Sequence, residues 1–167
     1  MTDRTSGSID LVPAVPADAL AVAEMSRDLI ETGLGWSWSR QRVARAISDP
    51  ETLVLTARHR GRVVGFGIME FGDEKAHLSL LAVKPGYQRE GIGTQVFGWL
   101  KESALTAGIA VVKLELRATN MVGQQFYRSF GFEEAGWAVG YYRGRETALR
   151  MALHLRHQSA GRSHQAL

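Results

Sequence analysis

The sequence predicts an α/β (α+β) fold, a single domain built on a mixed, mostly antiparallel central sheet of about seven strands with helices on both faces. Three observations predict it. The apolar or β-branched runs LVLTA (53–57), VVGFGIMEF (63–71) and AHLSLLAV (76–83) follow one another across the polar breaks HRGR and GDEK, the pattern of consecutive antiparallel strands. A segment of helical period then separates the third run from a further strand, VVKLELRA (111–118), and a strand–helix–strand crossover makes that pair parallel and right-handed. WAVGYYR and TALRMALHL close the chain as a hairpin, so the sheet is mixed.

Taken in order, the domain runs from Ile9 to Arg156. Residues 1–8 are small and polar and the tail 157–167 has no hydrophobic period, so both ends are expected to be flexible. After an opening strand, Leu20, Met25, Leu29 and Ile30 follow Asp18 at helical spacing, predicting a helix over 17–31 that Gly33 and Gly35 stop. Ser39 can cap a second helix with Val43, Ala46 and Ile47 on its apolar side, ended by Asp49-Pro50. Beyond the three strands, Lys84-Pro85-Gly86 breaks the chain. A helix over 92–107 carries Val96, Phe97, Leu100 and Ala104 on one face. Asn120 starts another helix, with Phe126, Tyr127 and Phe130, that stops at Gly131.

Composition narrows the chemistry. Hydrophobic residues make up 45% and charged residues 22% of 167, as in an ordinary globular chain of one domain. Lys and Arg total 20 against 17 acidic residues, and a net charge of +3 implies no nucleic-acid partner. The basic excess is local, in Arg40, Arg42 and Arg45 and again in Arg143, Arg145 and Arg150. No cysteine is present, which excludes disulfides, thiolate metal sites and a cysteine nucleophile. The five histidines lack metal-ligand spacing, so no metal is expected. The N-terminus lacks a signal-like apolar stretch and no run of about 18 apolar residues occurs, so no membrane partner and a cytoplasmic setting are expected.

One turn stands out. Gln88-Arg89-Glu90-Gly91-Ile92-Gly93-Thr94 lies between a strand and a helix, where glycines let the backbone approach a ligand and the helix start presents unpaired amides. Those amides and the macrodipole favour an anion, to which Arg89 adds a charge-assisted contact. A glycine-rich turn can also serve tight packing alone. Dinucleotide binding is disfavoured because GIGTQVF has Val96, followed by Phe97, where a third glycine would be needed at 96, and the G-K-[ST] of a P-loop is absent.

The run LLAVKPGYQREGIGTQVFGWL resembles the acetyl-CoA-binding motif of the GNAT superfamily, [QR]-x-x-G-x-[GA], met by Gln88, Gly91 and Gly93. LELRATNMVGQQFYRSFGF is similar to that family's later motif through Asn120, Phe126, Tyr127, Gly131 and Phe132. The resemblance spans roughly Ile9 to Leu155. It implies a GNAT-like fold and acetyl-CoA as co-substrate, with its pyrophosphate on the turn from Gln88 to Thr94 and Leu81, Ala82 and Val83 lending backbone groups to pantetheine. It adds Asn120 to the cofactor-binding set. Glu90 departs from the family, where that position is often basic.

Acyl transfer to an amine needs a base for the ammonium, donors for the oxyanion and an acid for the thiolate. Glu115 shares a strand face with Lys113 and Arg117 while Val112, Leu114 and Leu116 point the other way; by pattern alone that is a solvated face. Tyr127 beside Phe126 reads, by pattern alone, as packing. The chain further resembles the bacterial ribosomal-protein N-terminal alanine acetyltransferases, where a glutamate in L-E-x-R-A-x-N is the base and a tyrosine twelve positions later the acid. That resemblance implies Glu115 as base, directly or through water, Tyr127 as acid, and direct transfer in a ternary complex.

Trp36, Trp38, Tyr141 and Tyr142 occupy the regions that cover the acceptor in the superfamily; packing and a homodimer contact are alternatives for each. On a regular strand Tyr141 and Tyr142 point to opposite faces. YYRGRETALRM resembles the closing segment of the alanine acetyltransferases and implies a peptide N-terminus as acceptor, with a small-molecule amine (amino acid, polyamine or antibiotic) as the alternative. Two other classes compete: a non-catalytic acyl-CoA sensor, and an RNA- or ribosome-associated protein, against which the missing aromatic RNP motif counts.

Overall fold

The protein is described by a computed structural model over residues 7–155. The termini expected to be flexible lie outside the described residues, apart from Gly7 and Ser8. The elements are β1 (Ile9–Pro13), a 3-10 turn (Pro16–Asp18), α1 (Ala19–Leu29), α2 (Arg40–Ser48), β2 (Thr52–His59), β3 (Arg62–Phe71), β4 (Lys75–Val83), α3 (Ile92–Thr106), β5 (Val111–Arg117), α4 (Met121–Ser129), β6 (Glu133–Tyr142) and β7 (Glu146–His154). The seven strands are ordered β1-β2-β3-β4-β5-β7-β6, mixed and mostly antiparallel as expected. Among the described residues, the chain up to Glu70 together with Leu80–Ser103 forms one compact unit, and Phe71–Ser79 with the chain from Ala104 forms a second.

In the first unit β1, β2 and β3 run antiparallel. The β2–β3 hairpin turns on Arg60 and Gly61, both at positive φ (51° and 77°), the twist that a two-residue hairpin loop requires. Residues 63–69 of β3 are buried continuously, as in a strand covered on both faces. Phe66, Ile68, Val54 and Leu80 pack with Val22, Ala23 and Met25 of α1 and Val43 of α2. Gly67 has a specific reason to be glycine: a Cβ there would lie 2.7 Å from Leu100 and 3.0 Å from Val96, two buried residues of α3. Ser39 caps α2 as expected, its hydroxyl accepting from the Arg42 amide at 3.3 Å.

In the second unit β4 starts parallel to β5, pairing Lys75–His77 with Val111–Lys113. This is the parallel pair the crossover helix predicted. β5 is then antiparallel to β7 along its whole length, and β7 to β6. Val112, Leu114 and Leu116 are buried with Leu149, Met151 and Leu153 of β7, so the other face of β5 carries Lys113, Glu115 and Arg117 as alternation demanded. Edge strand β6 is mostly exposed and irregular, with register shifts at Glu134/Gly136 and Ala138/Tyr142, features that blunt an unpaired edge.

Candidate active site

The turn after β4 has the geometry of an anion cradle. Arg89 and Gly91 hold positive φ of 63° and 81°, and the first helical bond of α3 runs from the Gln95 amide to the Gly91 carbonyl at 3.0 Å. The amides of Ile92, Gly93 and Thr94 therefore precede the helix ladder and open at its positive end. Ile92 is core through its side chain, 2% exposed, so only its backbone can serve a ligand. A Cβ on Gly91 would meet nothing within 4 Å, which leaves open space at the turn. Arg89, Glu90 and Thr94 are exposed. Tyr87, whose hydroxyl lies 3.0 Å from His59 Nδ1, anchors the start of the turn.

The end of β4 leads into it. The Lys84 amide donates to the Val64 carbonyl at 2.8 Å, and the Ala82 carbonyl stands 3.3 Å from where a Cβ of Gly65 would be, so even-numbered residues face β3. Backbone groups of Leu81 and Val83 then point away from β3, because a strand alternates their direction. The Val83 carbonyl is already engaged by Gln88, whose Nε2 donates to it at 3.0 Å. Gln88 thus ties strand to turn. These groups fit a pyrophosphate with an extended arm beside the strand.

On the second unit, Glu115 is half-buried and bonded: His77 Nε2 lies 2.5 Å from its Oε2. The hydrogen bond to His77 is the main cause holding its carboxyl below the ordinary glutamate range, with burial opposing and the charges of His77, Arg150 and Lys113 assisting. His77 went unread in the sequence as one histidine among five without ligand spacing. Its signal was the alternation in AHLSLL combined with the parallel register opposite Lys113, which sets it diagonal to Glu115.

Tyr127 sits on α4, whose start is fixed by Asn120: its Oδ1 accepts from the Gly123 amide at 2.9 Å. That cap gives Asn120 a structural duty independent of any cofactor. The Tyr127 ring meets Phe126 and Phe132 edge-on at 5.2 and 5.5 Å, and burial pushes its hydroxyl pKa up, with Tyr142 contributing. Tyr142 is itself pushed up to about 12 by burial and then by Tyr141 and Glu115. Tyr142 therefore feels Glu115 and in turn acts on Tyr127. Gln124, 4% exposed, was also missed; its Nε2 donates to the Ala118 carbonyl at 2.9 Å and holds the β5–α4 connection.

The aromatic candidates divide. Trp38 is buried in the core, 7% exposed, under the Arg42 guanidinium 3.8 Å from its ring centroid. Trp36 is exposed, donates from Nε1 to the Ala23 carbonyl at 3.1 Å and carries Arg27 over its ring. Glu31, not singled out in the sequence, organises this loop by accepting from Ser26 Oγ at 3.0 Å and the Ser37 amide at 2.8 Å. Tyr141 and Tyr142 do not diverge to opposite faces. Their rings meet perpendicular at 5.0 Å, because Gly140 takes φ of 67° within the irregular stretch of β6. Among the described residues no cluster of His, Asp or Glu suits a metal ion, and no helix is long and apolar enough to cross a membrane.

The turn after β4, strand β5 with Glu115 and the Asn120-capped helix α4 follow one another along the chain. Residues 21–154 match the family model for the acetyltransferase (GNAT) domain, and the chain belongs to that family. The [ribosomal protein bS18]-alanine N-acetyltransferase of Escherichia coli K12 is 38% identical over 96 residues, covering 56% of this chain and 65% of the relative, just under two thirds of its length. An uncharacterised N-acetyltransferase of Mycobacterium tuberculosis H37Rv is 34% identical over 99 residues, 59% of this chain and 64% of that one. The crystal structure of the Escherichia coli ribosomal-protein-S18-alanine N-acetyltransferase superposes with a TM-score of 0.76 at 28% identity, covering 89% of this chain and 94% of the other.

Proposed function

We propose that this chain transfers the acetyl group of acetyl-CoA to a primary amine by direct attack in a ternary complex, with the N-terminal amine of a polypeptide as acceptor. Residues 9–156 carry the activity in this reading, in the cytoplasmic setting expected from the sequence. The observation that carries it is Glu115, half-buried and held ionised on the strand that runs into the Asn120-capped helix bearing Tyr127. The likeness to alanine N-acetyltransferases supports the acceptor class.

Acetyl-CoA would supply the thioester. The amides of Ile92, Gly93 and Thr94, with Gly91 leaving space and Arg89 adding charge, bind its diphosphate; Leu81 offers backbone groups to the pantetheine arm. Glu115, ionised, accepts a proton from the acceptor ammonium. Tyr127 keeps its proton through the physiological range, since burial disfavours the phenolate, and gives it to the departing sulfur. No residue of the chain needs to become acylated.

A free-thiol assay with acetyl-CoA tests the reading against peptides with free N-terminal alanine, the same peptides blocked, polyamines, amino acids and aminoglycosides. Thiol release with free but not blocked peptides is expected. Release only with a small amine would move the acceptor to that class, and none with any amine would favour a non-catalytic acyl-CoA sensor.

A further inference from the structure

We infer that His77 is a positioning residue for the base, holding one oxygen of Glu115 by hydrogen bond so that the other is aimed at the acceptor amine. The inference rests on Glu115 as base and adds a residue that neither family motif contains. Its geometry lies within one unit of the fold. His77 pairs with Lys113 in the short parallel ladder, and Glu115 lies two residues further on the same face of β5, so the imidazole reaches across to the carboxylate. His77 Nε2 lies 2.5 Å from Glu115 Oε2, and His77 Nδ1 lies 3.1 Å from Ser79 Oγ. Glu115 Oε1 has no hydrogen-bond partner among the described residues.

The chemistry of the donors places one proton. An ionised carboxylate only accepts, so Nε2 must carry the proton that faces Glu115, and Nδ1 lies against the Ser79 hydroxyl, which can donate or accept. Ser79 thereby helps hold the ring in the orientation that faces Glu115. Ser79 and His77 stand on the same face of β4 through strand alternation. The arrangement costs side-chain freedom before substrate arrives, and that prior ordering is what makes a base effective. During transfer the proton leaves the amine nitrogen for Oε1, and no bond at His77 breaks.

His77→Ala and His77→Gln test the role. The Gln amide can donate from nearly the place of Nε2, while Ala cannot. His77→Ala should lower kcat about tenfold to a hundredfold, and His77→Gln should stay within about threefold of wild type, since only a donor is required. Acetyl-CoA affinity by calorimetry should not change in either. In the free protein, the Glu115 carboxyl titration followed by carbon NMR should move to higher pH in His77→Ala and much less in His77→Gln. The groups that also bear on this carboxylate are kept: Lys113 on β5, Arg150 on β7, and Tyr141 and Tyr142 on β6. Ser79→Ala, a smaller change, should give a partial loss if His77→Ala does not fold. Wild-type turnover in His77→Ala, or equal loss in the Ala and Gln variants, overturns the inference. Turnover retained in Glu115→Gln instead removes the base assignment itself.

Discussion

Glu115 stands directly opposite Arg150 in the antiparallel ladder of β5 and β7. Facing residues in such a ladder bring their Cβ atoms within about 5 Å, close enough for the guanidinium to favour the carboxylate's ionised form. In the proposed function Glu115 works ionised, so activity should persist as pH falls until the pH passes its lowered pKa, beneath the ordinary glutamate range. Arg150→Met removes one supporting charge. The acidic limb of the kcat/KM profile should then move to higher pH with the alkaline limb unmoved; an unshifted acidic limb would detach Arg150 from the site. The same sign governs stability: the contribution of ionised Glu115 is present above its unfolded pKa and is lost as pH drops through the folded one.

Tyr127→Phe removes a proton donor and leaves the ring against Phe126 and Phe132. A decrease in kcat of about tenfold to a thousandfold is expected, with acetyl-CoA affinity and melting temperature unchanged, as for the loss of a general acid. Were Tyr127 only a packing residue, the Phe variant would turn over as wild type in steady-state assays.

Gly91→Val separates backbone from contact. No atom lies within 4 Å of a Cβ there, so the substitution meets no neighbour, yet φ of 81° is unfavourable for a β-branched residue by about 1–2 kcal/mol. The turn should relax and acetyl-CoA affinity fall. Undiminished affinity by titration calorimetry would refute the phosphate role of the turn.

Most elements were legible because local periodicity decides them: the face of β5 that carries Glu115 follows from alternation, and Ser39 and Asn120 announce the starts of α2 and α4. Features that depend on pairing were not legible. His77 acquires meaning only through the register Lys75–His77 with Val111–Lys113, which no spacing within either strand reveals. Tyr141 and Tyr142 met because Gly140 interrupts the strand, and period-two reasoning has no place for a bulge. Trp38 went to the core while Trp36 stayed outside, although both lie in one short loop, because Glu31 fixes that loop through its carboxylate.

Two glycines of similar appearance in the sequence should respond with opposite sign to alanine. At Gly67 on β3 a methyl would intrude to 2.7 Å from Leu100 and 3.0 Å from Val96, both fully buried and unable to swing away. Overpacking of this kind costs about 1–3 kcal/mol, more than alanine recovers from reduced backbone freedom. At Gly98, inside α3, nothing lies within 4 Å of the added methyl. Alanine there should stabilise by about 0.5–1 kcal/mol through helix propensity alone. Urea denaturation midpoints would move down for Gly67→Ala and up for Gly98→Ala. A Gly67→Ala variant as stable as wild type would mean that α3 does not pack on β3 at this point, and that the helix following the Gly91 turn is seated elsewhere.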